Sequence, residues 1–251
     1  MYNLKSQLKL AAAMTLALAS LGAASTVRAQ VAKPDNELSL NAAVTSDYRY
    51  RGVSQSRLKP ALQGGADYVN NPSGLYAGTW VSTIKWVKDA GGDGDLEWDL
   101  YGGKKGELVP GVSYDVGGLY YFYPSNALAT SANTFELYGQ VGYGPGYIKY
   151  SHATTNLFGT SNSKNSGYLD VGANLDIGNG LLLNLHVGHQ RVKNNSAFSY
   201  TDYKIGVTKD FGICTVALAA IYADTKTYVS PSPSSKNLAK TGVVLTVSKT
   251  F

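Results

Sequence analysis

The chain has 251 residues, among them 28 glycines and 19 tyrosines, and its mean hydropathy is −0.13. Of its 22 Lys and Arg residues, three lie before residue 30, which leaves 19 basic against 17 acidic side chains, a formal charge of +2, in the remainder. No dense basic patch is left to neutralise phosphates, so no nucleic-acid partner is expected, and the single cysteine, Cys214, excludes an intramolecular disulfide.

The first stretch of the chain is typical of a secretion signal. Lys5 and Lys9 flank the start of an apolar run rich in alanine and leucine, which closes on Val27-Arg28-Ala29. This pattern predicts a signal peptide over residues 1–29, followed by a short N-terminal segment over residues 30–36. Nothing later in the chain offers about 18 consecutive apolar residues, so a helical membrane protein is excluded.

The first predicted strand ends in the stretch TSDYRYRGVSQS (45–56), where charge and tyrosine alternate. Asp47 and Arg49 fall in one phase of this alternation, and Tyr48 and Tyr50 fall in the other. Since a strand places successive side chains on opposite faces, we expect the two tyrosines to face outward and the charged pair to face inward. Tyrosine suits the boundary between acyl chains and head groups, so the motif predicts a strand end at a membrane surface.

Alternation with a period of two recurs along the rest of the chain, with almost no helical periodicity, and it predicts an all-β protein. The clearest case is the pair 167–177 and 181–191, where leucine and valine oppose polar residues and only a Gly-Asn-Gly turn intervenes. Twelve strands are predicted, at 37–50, 60–70, 74–84, 95–106, 112–123, 133–144, 146–157, 166–177, 181–192, 201–211, 213–224 and 238–251.

The connections between these strands alternate strictly between long and short. Short turns such as NPSG, LVPG and GNG are separated by long polar links such as WVKDAGGDG and PSNALATSAN. A soluble sandwich has no reason to sort its turns in this way, whereas an outer-membrane barrel has short periplasmic turns and long extracellular loops. The sequence therefore predicts a transmembrane antiparallel up-and-down β-barrel of about 12 strands over residues 37–251, surrounded by lipid in the bacterial outer membrane.

The C-terminal stretch GVVLTVSKTF supports this fold. Val243, Leu245, Val247 and Phe251 fall on one face of the last predicted strand. The stretch resembles the terminal strand by which bacterial outer-membrane proteins are recognised for assembly, so the assembly machinery is a predicted partner. Lys249 stands where an aromatic or apolar residue is more usual.

Polar positions of one phase are expected to face the barrel interior. A charge there can belong to a paired plug that fills a narrow lumen, or it can line a hydrated pore, and the sequence leaves both open. By default Arg49 is expected to pair with an inward acid, such as Asp47, Asp67 or Glu97. Acids outnumber bases, so an open pore is expected to prefer cations weakly. The candidate lumen-lining residues are Asp47, Arg49, Asp67, Glu97, Asp99, Asp115, Glu136, Lys149, Asp170, Asp202 and Lys204.

Several of these motifs resemble those of the TorF-type porins, a proteobacterial family of outer-membrane proteins. The resemblance covers the mature chain, is densest in its first half, and implies an outer-membrane location and a barrel fold but no particular substrate. It rests on SDYRYRGVSQS (46–56), PALQGG (60–65), GLYAGTWVS (74–82), LEWDLYGG (96–103), YYFYP (120–124) and FELYGQ (135–140).

No catalytic or metal-binding motif accompanies the barrel pattern. His152, His186 and His189 are scattered over strands without a matching serine, and the Gly/Asp-rich run at 91–95 lacks the ligand spacing of a calcium loop. No enzyme activity, cofactor or metal is expected. The predicted function is porin-like passage of small hydrophilic solutes or ions, and the alternative is a closed barrel with a structural or surface-interaction role.

Overall fold

The structure, a computed structural model, describes residues 34–251, so the predicted signal peptide (1–29) and most of the predicted N-terminal segment lie outside the described residues. Two short helical turns are present in that range, α1 (Trp86–Asp89) and a 3-10 turn at Ser196–Phe198. In chain order the strands are β1 (Asn36–Thr45), β2 (Arg49–Tyr50), β3 (Val53–Ser54), β4 (Ala61–Asn70), β5 (Leu75–Thr83), β6 (Leu96–Val109), β7 (Val112–Phe122), β8 (Thr134–Tyr143), β9 (Gly146–Ala153), β10 (Gly167–Asp176), β11 (Leu181–Arg191), β12 (Tyr200–Asp210), β13 (Thr215–Ala223) and β14 (Gly242–Thr250).

All strands except β2 and β3 close into one antiparallel barrel. Neighbours along the chain pair with each other, and β1 completes the ring by pairing with both β4 and β14. The terminal Phe251 extends this closure, because its backbone exchanges two hydrogen bonds with Leu40 of β1. Closure leaves no open sheet edge, as a sheet in hydrocarbon requires. The predicted twelve-stranded antiparallel barrel is confirmed.

The connections sort by length between the two ends of the barrel, as the sequence indicates. We call these the short-turn end and the long-loop end. The short turns are 71–74, 110–111, 144–145, 177–180 and 211–214, and the long loops are 46–60, 84–95, 123–133, 154–166, 192–199 and 224–241. Among residues 34–251, no helix is both long and apolar enough to cross a membrane.

Side chains on the barrel wall are apolar outside and polar inside. Leu38, Leu40 and Val44 of β1 are exposed on the outer wall, whereas Asn41 of the same strand donates to Asp67 on the inner side. The apolar residues of the C-terminal motif are exposed on the outer wall as well, namely Val243, Leu245, Val247 and Phe251. This arrangement inverts that of a soluble protein, because the apolar groups face outward and the charged groups face the centre.

Inward glycines and tyrosines pair across neighbouring strands. Tyr101 is paired with Gly78, and Tyr147 is paired with Gly172. A Cβ added to either glycine would lie 2.5 Å from the ring of its tyrosine, so each ring occupies the space that a side chain would fill. These two rings therefore lie against the inner wall, in the space that the glycine leaves free.

Some strands are shorter at the long-loop end than their alternation indicates. β1 ends at Thr45 rather than at residue 50, and β9 ends at Ala153 rather than at residue 157. Beyond Ala153, a side chain replaces the ladder, since the backbone N–H of Phe135 donates to the hydroxyl of Thr155. Beyond Thr45, the chain leaves the wall and enters the lumen.

Candidate functional site in the barrel lumen

Residues 46–60, which we call the inward segment, fold into the barrel instead of extending β1. Tyr48 is 5% exposed and packs edge-on against Trp80, with 5.4 Å between ring centroids. Its hydroxyl donates to Oε1 of Glu97 at 2.5 Å, and the hydroxyl of Tyr50 lies 2.6 Å from that of Tyr121. The prediction that these tyrosines face the membrane surface was wrong, because both phenols find polar partners inside the barrel.

Burial first, and the neighbouring carboxylate of Glu97 second, raise the pKa of Tyr48 well above its ordinary value. The phenol therefore stays protonated and remains the donor to Glu97.

Asp47 organises the start of the inward segment. Its Oδ2 accepts from Nε of Arg49 at 2.7 Å, and its Oδ1 accepts from the hydroxyls of Ser54 and Ser56 at 2.5 and 3.2 Å. The guanidinium of Arg49 also donates to the carbonyl of Lys240 at 2.7 Å. The expected pairing of Arg49 with an inward acid is thus present with Asp47, but both residues lie on the segment and not on a wall strand.

The tip of the inward segment is a tight turn between β2 and β3. Arg51 and Gly52 both have positive φ, 46° and 80°. A Cβ on Gly52 would lie 2.6 Å from the Cβ of Asp202 and 2.9 Å from that of Ala223. Glycine is therefore required twice at this position, for the left-handed backbone and for the close approach to the wall.

Arg51 connects the tip of the inward segment to the opposite wall of the barrel. Its guanidinium donates to both carboxylate oxygens of Glu136 on β8, at 3.0 and 2.7 Å, and to Gln190 on β11 at 2.7 Å. It also lies over the rings of Tyr50 and Tyr168, 4.7 and 4.2 Å from their centroids. In the order of strands around the barrel, β8 to β11 lie opposite β1 and β4. The segment thus spans the lumen from one wall to the other.

Tyrosines hold most of the inward acids on the strands near the segment. Tyr101 donates to Asp67 at 2.5 Å, and Tyr76 donates to Asp115 at 2.6 Å. Asp99 is the exception: its Oδ1 is buried and has no hydrogen-bond partner among residues 34–251. Most of these carboxylates are therefore satisfied by the wall itself, while Asp99 is left facing the space beneath the segment.

A second polar cluster surrounds His186 on β11. Its Nδ1 lies 2.8 Å from Oδ1 of Asp170, and its Nε2 lies 2.8 Å from Oδ2 of Asp202. An imidazole can donate from both nitrogens only when it is protonated, so this geometry is suited to an imidazolium between two carboxylates. Tyr168 donates to the other oxygen of Asp202 at 2.8 Å. Lys204, next to His186 in register, is exposed although it lies on the inward face.

A cavity of about 300 Å³ lies beneath the inward segment. Asp99, Lys149 and Lys204 are ionisable residues of its lining, and Asn174 and Asn184 line it towards the short-turn end. The two asparagine side chains form a hydrogen bond with each other at 2.8 Å. The lumen is therefore crossed by the segment at one level and encloses a cavity at the next.

The eleven candidate residues separate into two sets around this cavity. The register of the sheet brings several of them together. Lys149 on β9 is the register partner of Asp170 on β10, and Asp170 and Asp202 both contact His186. Their role as pore lining stays a prediction. Seven contribute to the cavity wall, namely Asp47, Arg49, Asp99, Lys149, Asp170, Asp202 and Lys204, and four do not, namely Asp67, Glu97, Asp115 and Glu136.

Three residues that form contacts where the inward segment crosses the lumen were not identified from the sequence. Arg51 was assigned to the link after the first strand, although the adjacent Gly52 could have indicated a tight turn there. Gln190 and Tyr168 carry no sequence signal for their contacts with Arg51, because these contacts join positions far apart in the chain. Within residues 34–251, no group of His, Cys, Asp and Glu side chains is placed to hold a metal ion.

The chain belongs to the bacterial protein family of unknown function Gcw_chp, whose family model matches residues 29–251. The match does not carry the TorF-type name, which stays a prediction. No curated protein matches the sequence.

Solved structures share the barrel. One is a KdgM porin, with a TM-score of 0.54 and 5% identity over 85% of this chain and 98% of that chain. Others are LpxR from Salmonella typhimurium, with a TM-score of 0.42 and 12% identity over 85% of this chain and 99% of that chain, and OprD from Pseudomonas aeruginosa, with a TM-score of 0.37 and 11% identity over 85% and 64%. At this level of identity, the likeness to the KdgM porin concerns the fold alone.

Proposed function

We propose that this member of the Gcw_chp family is a porin-like channel of the Gram-negative outer membrane, which lets small hydrophilic solutes or ions pass without catalysis. The observation that carries the proposal is a cavity of about 300 Å³, with Asp99, Lys149 and Lys204 in its lining, inside a barrel whose outer wall is apolar. An apolar outer band around a polar interior is what a barrel in lipid needs. In this proposal the short-turn end is periplasmic and the long-loop end is extracellular.

The inward segment is the constriction in this channel. A barrel of twelve strands is wider than the side-chain-filled eight-stranded barrels and narrower than open sixteen-stranded porins, so one crossing segment is enough to set its bore. Solutes would pass beside the segment, where Asp99 and Lys149 line the space below it. Rings that lie against glycines of the wall leave that passage unfilled.

Weak preference for cations is the finer part of the proposal. Of the acids around the cavity, Asp47 is paired with Arg49, and Asp170 and Asp202 share His186, whereas Asp99 forms no ion pair within residues 34–251. Because Lys149 and Lys204 also face the cavity, the net preference is small. Asp99→Asn should reduce the ratio of cation to anion permeability, measured as the reversal potential in a KCl gradient.

Glu97→Gln is the matched control for this measurement. Glu97 lies two residues away on β6, but it does not line the cavity and is held by Tyr48 and Tyr123. If both variants change the reversal potential equally, the selectivity does not depend on the cavity wall, and this part of the proposal fails. Rising salt should also weaken the native preference, since exposed charges are screened.

A closed barrel with a structural or surface-interaction role is the second candidate, and a separate observation favours it. The long-loop end is packed with buried apolar side chains, including Tyr48, Trp80, Ile84, Val87 and Tyr123. Together with the crossing of Arg51, this packing resembles a plug more than a loose loop. The two candidates differ in whether water and ions get past the inward segment.

Single-channel recording in a planar bilayer distinguishes them. We expect discrete conductance steps from the native barrel and larger steps after removal of residues 49–54, the part of the inward segment that crosses the lumen. The matched control removes residues 231–235, an exposed stretch of another long loop, and should leave the steps unchanged. A silent native barrel with a conducting 49–54 deletion would establish the plug, and silence from both folded proteins would overturn the channel.

A further inference from the structure

The outer wall of β9 to β11 carries basic side chains where it meets the long-loop end. His152 and Gly167 are paired between β9 and β10, and Gly167 is in turn paired with Arg191 of β11. These positions and His189 belong to the outward phase, and both His189 and Arg191 are exposed. An imidazole and a guanidinium thus flank a glycine at the same level of the barrel.

Two loops extend this basic surface beyond the strands. Lys164 lies in loop 154–166, and Lys193 lies in loop 192–199. The loops are joined, because the backbone N–H of Lys193 donates to the hydroxyl of Ser166 at 2.9 Å. The two lysines are therefore presented from one connected platform and not from independent loops.

No acid balances these charges locally. Neither loop contains Asp or Glu, and none of Lys164, Arg191 and Lys193 forms an ion pair with a carboxylate of residues 34–251. Asp170 and Asp202 of the same ladders are hydrogen-bonded to His186 on the inner face, and Asp224 accepts from the backbone N–H of Thr201. Unpaired like charges on one side of the barrel are a surface suited to an anionic partner.

Two bases elsewhere at the long-loop end do have acidic partners. Arg57 is paired with Asp89, and Lys88 is paired with Asp95 at 2.9 Å. Neither pair reaches the side chains of this sector.

Directly below the basic side chains, the same strands present the apolar outer band. Ile148, Leu169 and Val187 are 56%, 45% and 40% exposed. Passing from His152 or Arg191 towards the short-turn end, the surface changes from basic to apolar within one or two outward positions. A membrane has the matching order, with phosphates above acyl chains.

We propose that this basic sector, formed by Lys164, Arg191 and Lys193 with His152 and His189 at its lower edge, binds the phosphate groups of the glycolipid in the outer leaflet. The proposal rests on the outer-membrane location in the proposed function, but not on conduction. Charge complementarity selects the phosphates, and the apolar band selects a lipid over a soluble anion.

Binding of purified lipid A to the folded, detergent-solubilised barrel tests this proposal by native mass spectrometry. The triple variant Lys164→Gln, Arg191→Gln, Lys193→Gln should bind about a hundredfold more weakly at low salt, because each basic side chain near a lipid phosphate contributes roughly a fivefold factor. The matched control Lys59→Gln, Lys226→Gln, Lys236→Gln makes the same charge change in other long loops and should bind within about twofold of the native protein.

Two further probes identify the ligand. Dephosphorylated lipid A should bind the native protein as weakly as phosphorylated lipid A binds the triple variant, and inorganic phosphate at equal concentration should not displace the lipid. Equal binding by the triple and control variants, or equal binding of the two lipids, would overturn the proposal, and displacement by inorganic phosphate would reassign the sector to a free anion.

Folding of every variant is checked by the shift in gel migration between unheated and boiled samples. If the triple variant does not fold, Lys193→Gln alone should still lose about fivefold in affinity. Lipid binding by a barrel that is silent in a planar bilayer would overturn the channel and support the lipid site, so the two failures are distinguishable.

Discussion

Towards the long-loop end, the inward segment and its partners occupy part of the lumen, whereas towards the short-turn end the same wall encloses a cavity. Arg51 reaches Glu136 and Gln190 at the upper level, and Tyr48 reaches Glu97. Every one of these contacts joins a loop to a wall strand. The filling of the upper half is thus supplied by a connection between strands and not by the strands themselves.

The lower half holds polar groups in a different way. Asn184 accepts from Thr208 at 2.7 Å and donates to Asn174 at 2.8 Å. These are short neutral side chains bonded to neighbours on the wall. One alternating wall can therefore surround a plug or a cavity, and what decides between them is whether a loop turns inward.

The largest expected effect comes from breaking the crossing at Arg51. Arg51→Ala leaves the carboxylate of Glu136 buried without its charge partner, so the free energy of unfolding should fall by about 3–5 kcal/mol. Arg51→Met combined with Glu136→Leu removes both charges and should restore most of that loss. Urea titration of the barrel in detergent measures both. Equal losses in the single and double variants would show that the ion pair of Arg51 and Glu136 does not stabilise the inward segment against the wall.

An arginine placed on the two faces of one strand in the lower half gives the next effect. Leu218 is 46% exposed on the outer wall, and its neighbour Ala217 lines the cavity. Leu218→Arg should cost about 2–4 kcal/mol in a bilayer, because it puts a charge into hydrocarbon. Ala217→Arg should cost much less, since the cavity can hold the side chain. Similar costs for both substitutions, measured by folding titration into lipid vesicles, would mean that the lower lumen is closed.

Side-chain alternation predicted the wall strands, because every wall residue shares its face with its neighbours two positions away, and the alternating lengths of the connections, with the terminal Phe251, predicted the barrel. Leu169 and Val171 face outward as their pattern indicates, and Asp170 faces inward. The inward segment has the same alternation, yet Tyr48 and Tyr50 point into the lumen. A local pattern cannot distinguish a strand that continues along the wall from a hairpin that leaves it.

The partners at the crossing could not be predicted, for a related reason. Arg51 meets Glu136 and Gln190 only once the ring of strands has closed and placed β8 and β11 opposite β1. The charge of each residue is visible in the sequence, but the pairing depends on the circumference and on the depth of the segment. Inward acids were therefore predictable as a class, and their partners were not.

A substitution at the tip of the inward segment tests how closely the segment fits the wall of the barrel. Gly52→Ala places a Cβ on a left-handed backbone, 2.6 Å from the Cβ of Asp202. The backbone strain and the close contact together should lower the free energy of unfolding by about 2–4 kcal/mol. Gly91→Ala is the matched control, because Gly91 has φ +94° but a Cβ added there would meet no heavy atom within 4 Å. It should cost only about 1 kcal/mol, the backbone part alone. Equal losses in the two variants would show that the tip does not press against β12.

The smallest effect is expected from changing the shape of a charge at the base of the inward segment. Arg49→Lys keeps the positive charge beside Asp47 but cannot reach both that carboxylate and the carbonyl of Lys240, so about 1 kcal/mol of unfolding free energy should be lost with one hydrogen bond. The matched control is Arg57→Lys, which changes an ion pair with Asp89 in which the arginine side chain is 42% exposed. It should leave stability unchanged within error. Urea titrations of the two variants side by side measure the difference. A loss at Arg57 as large as that at Arg49 would mean that the buried base of the segment is held no more firmly than an exposed ion pair at the rim.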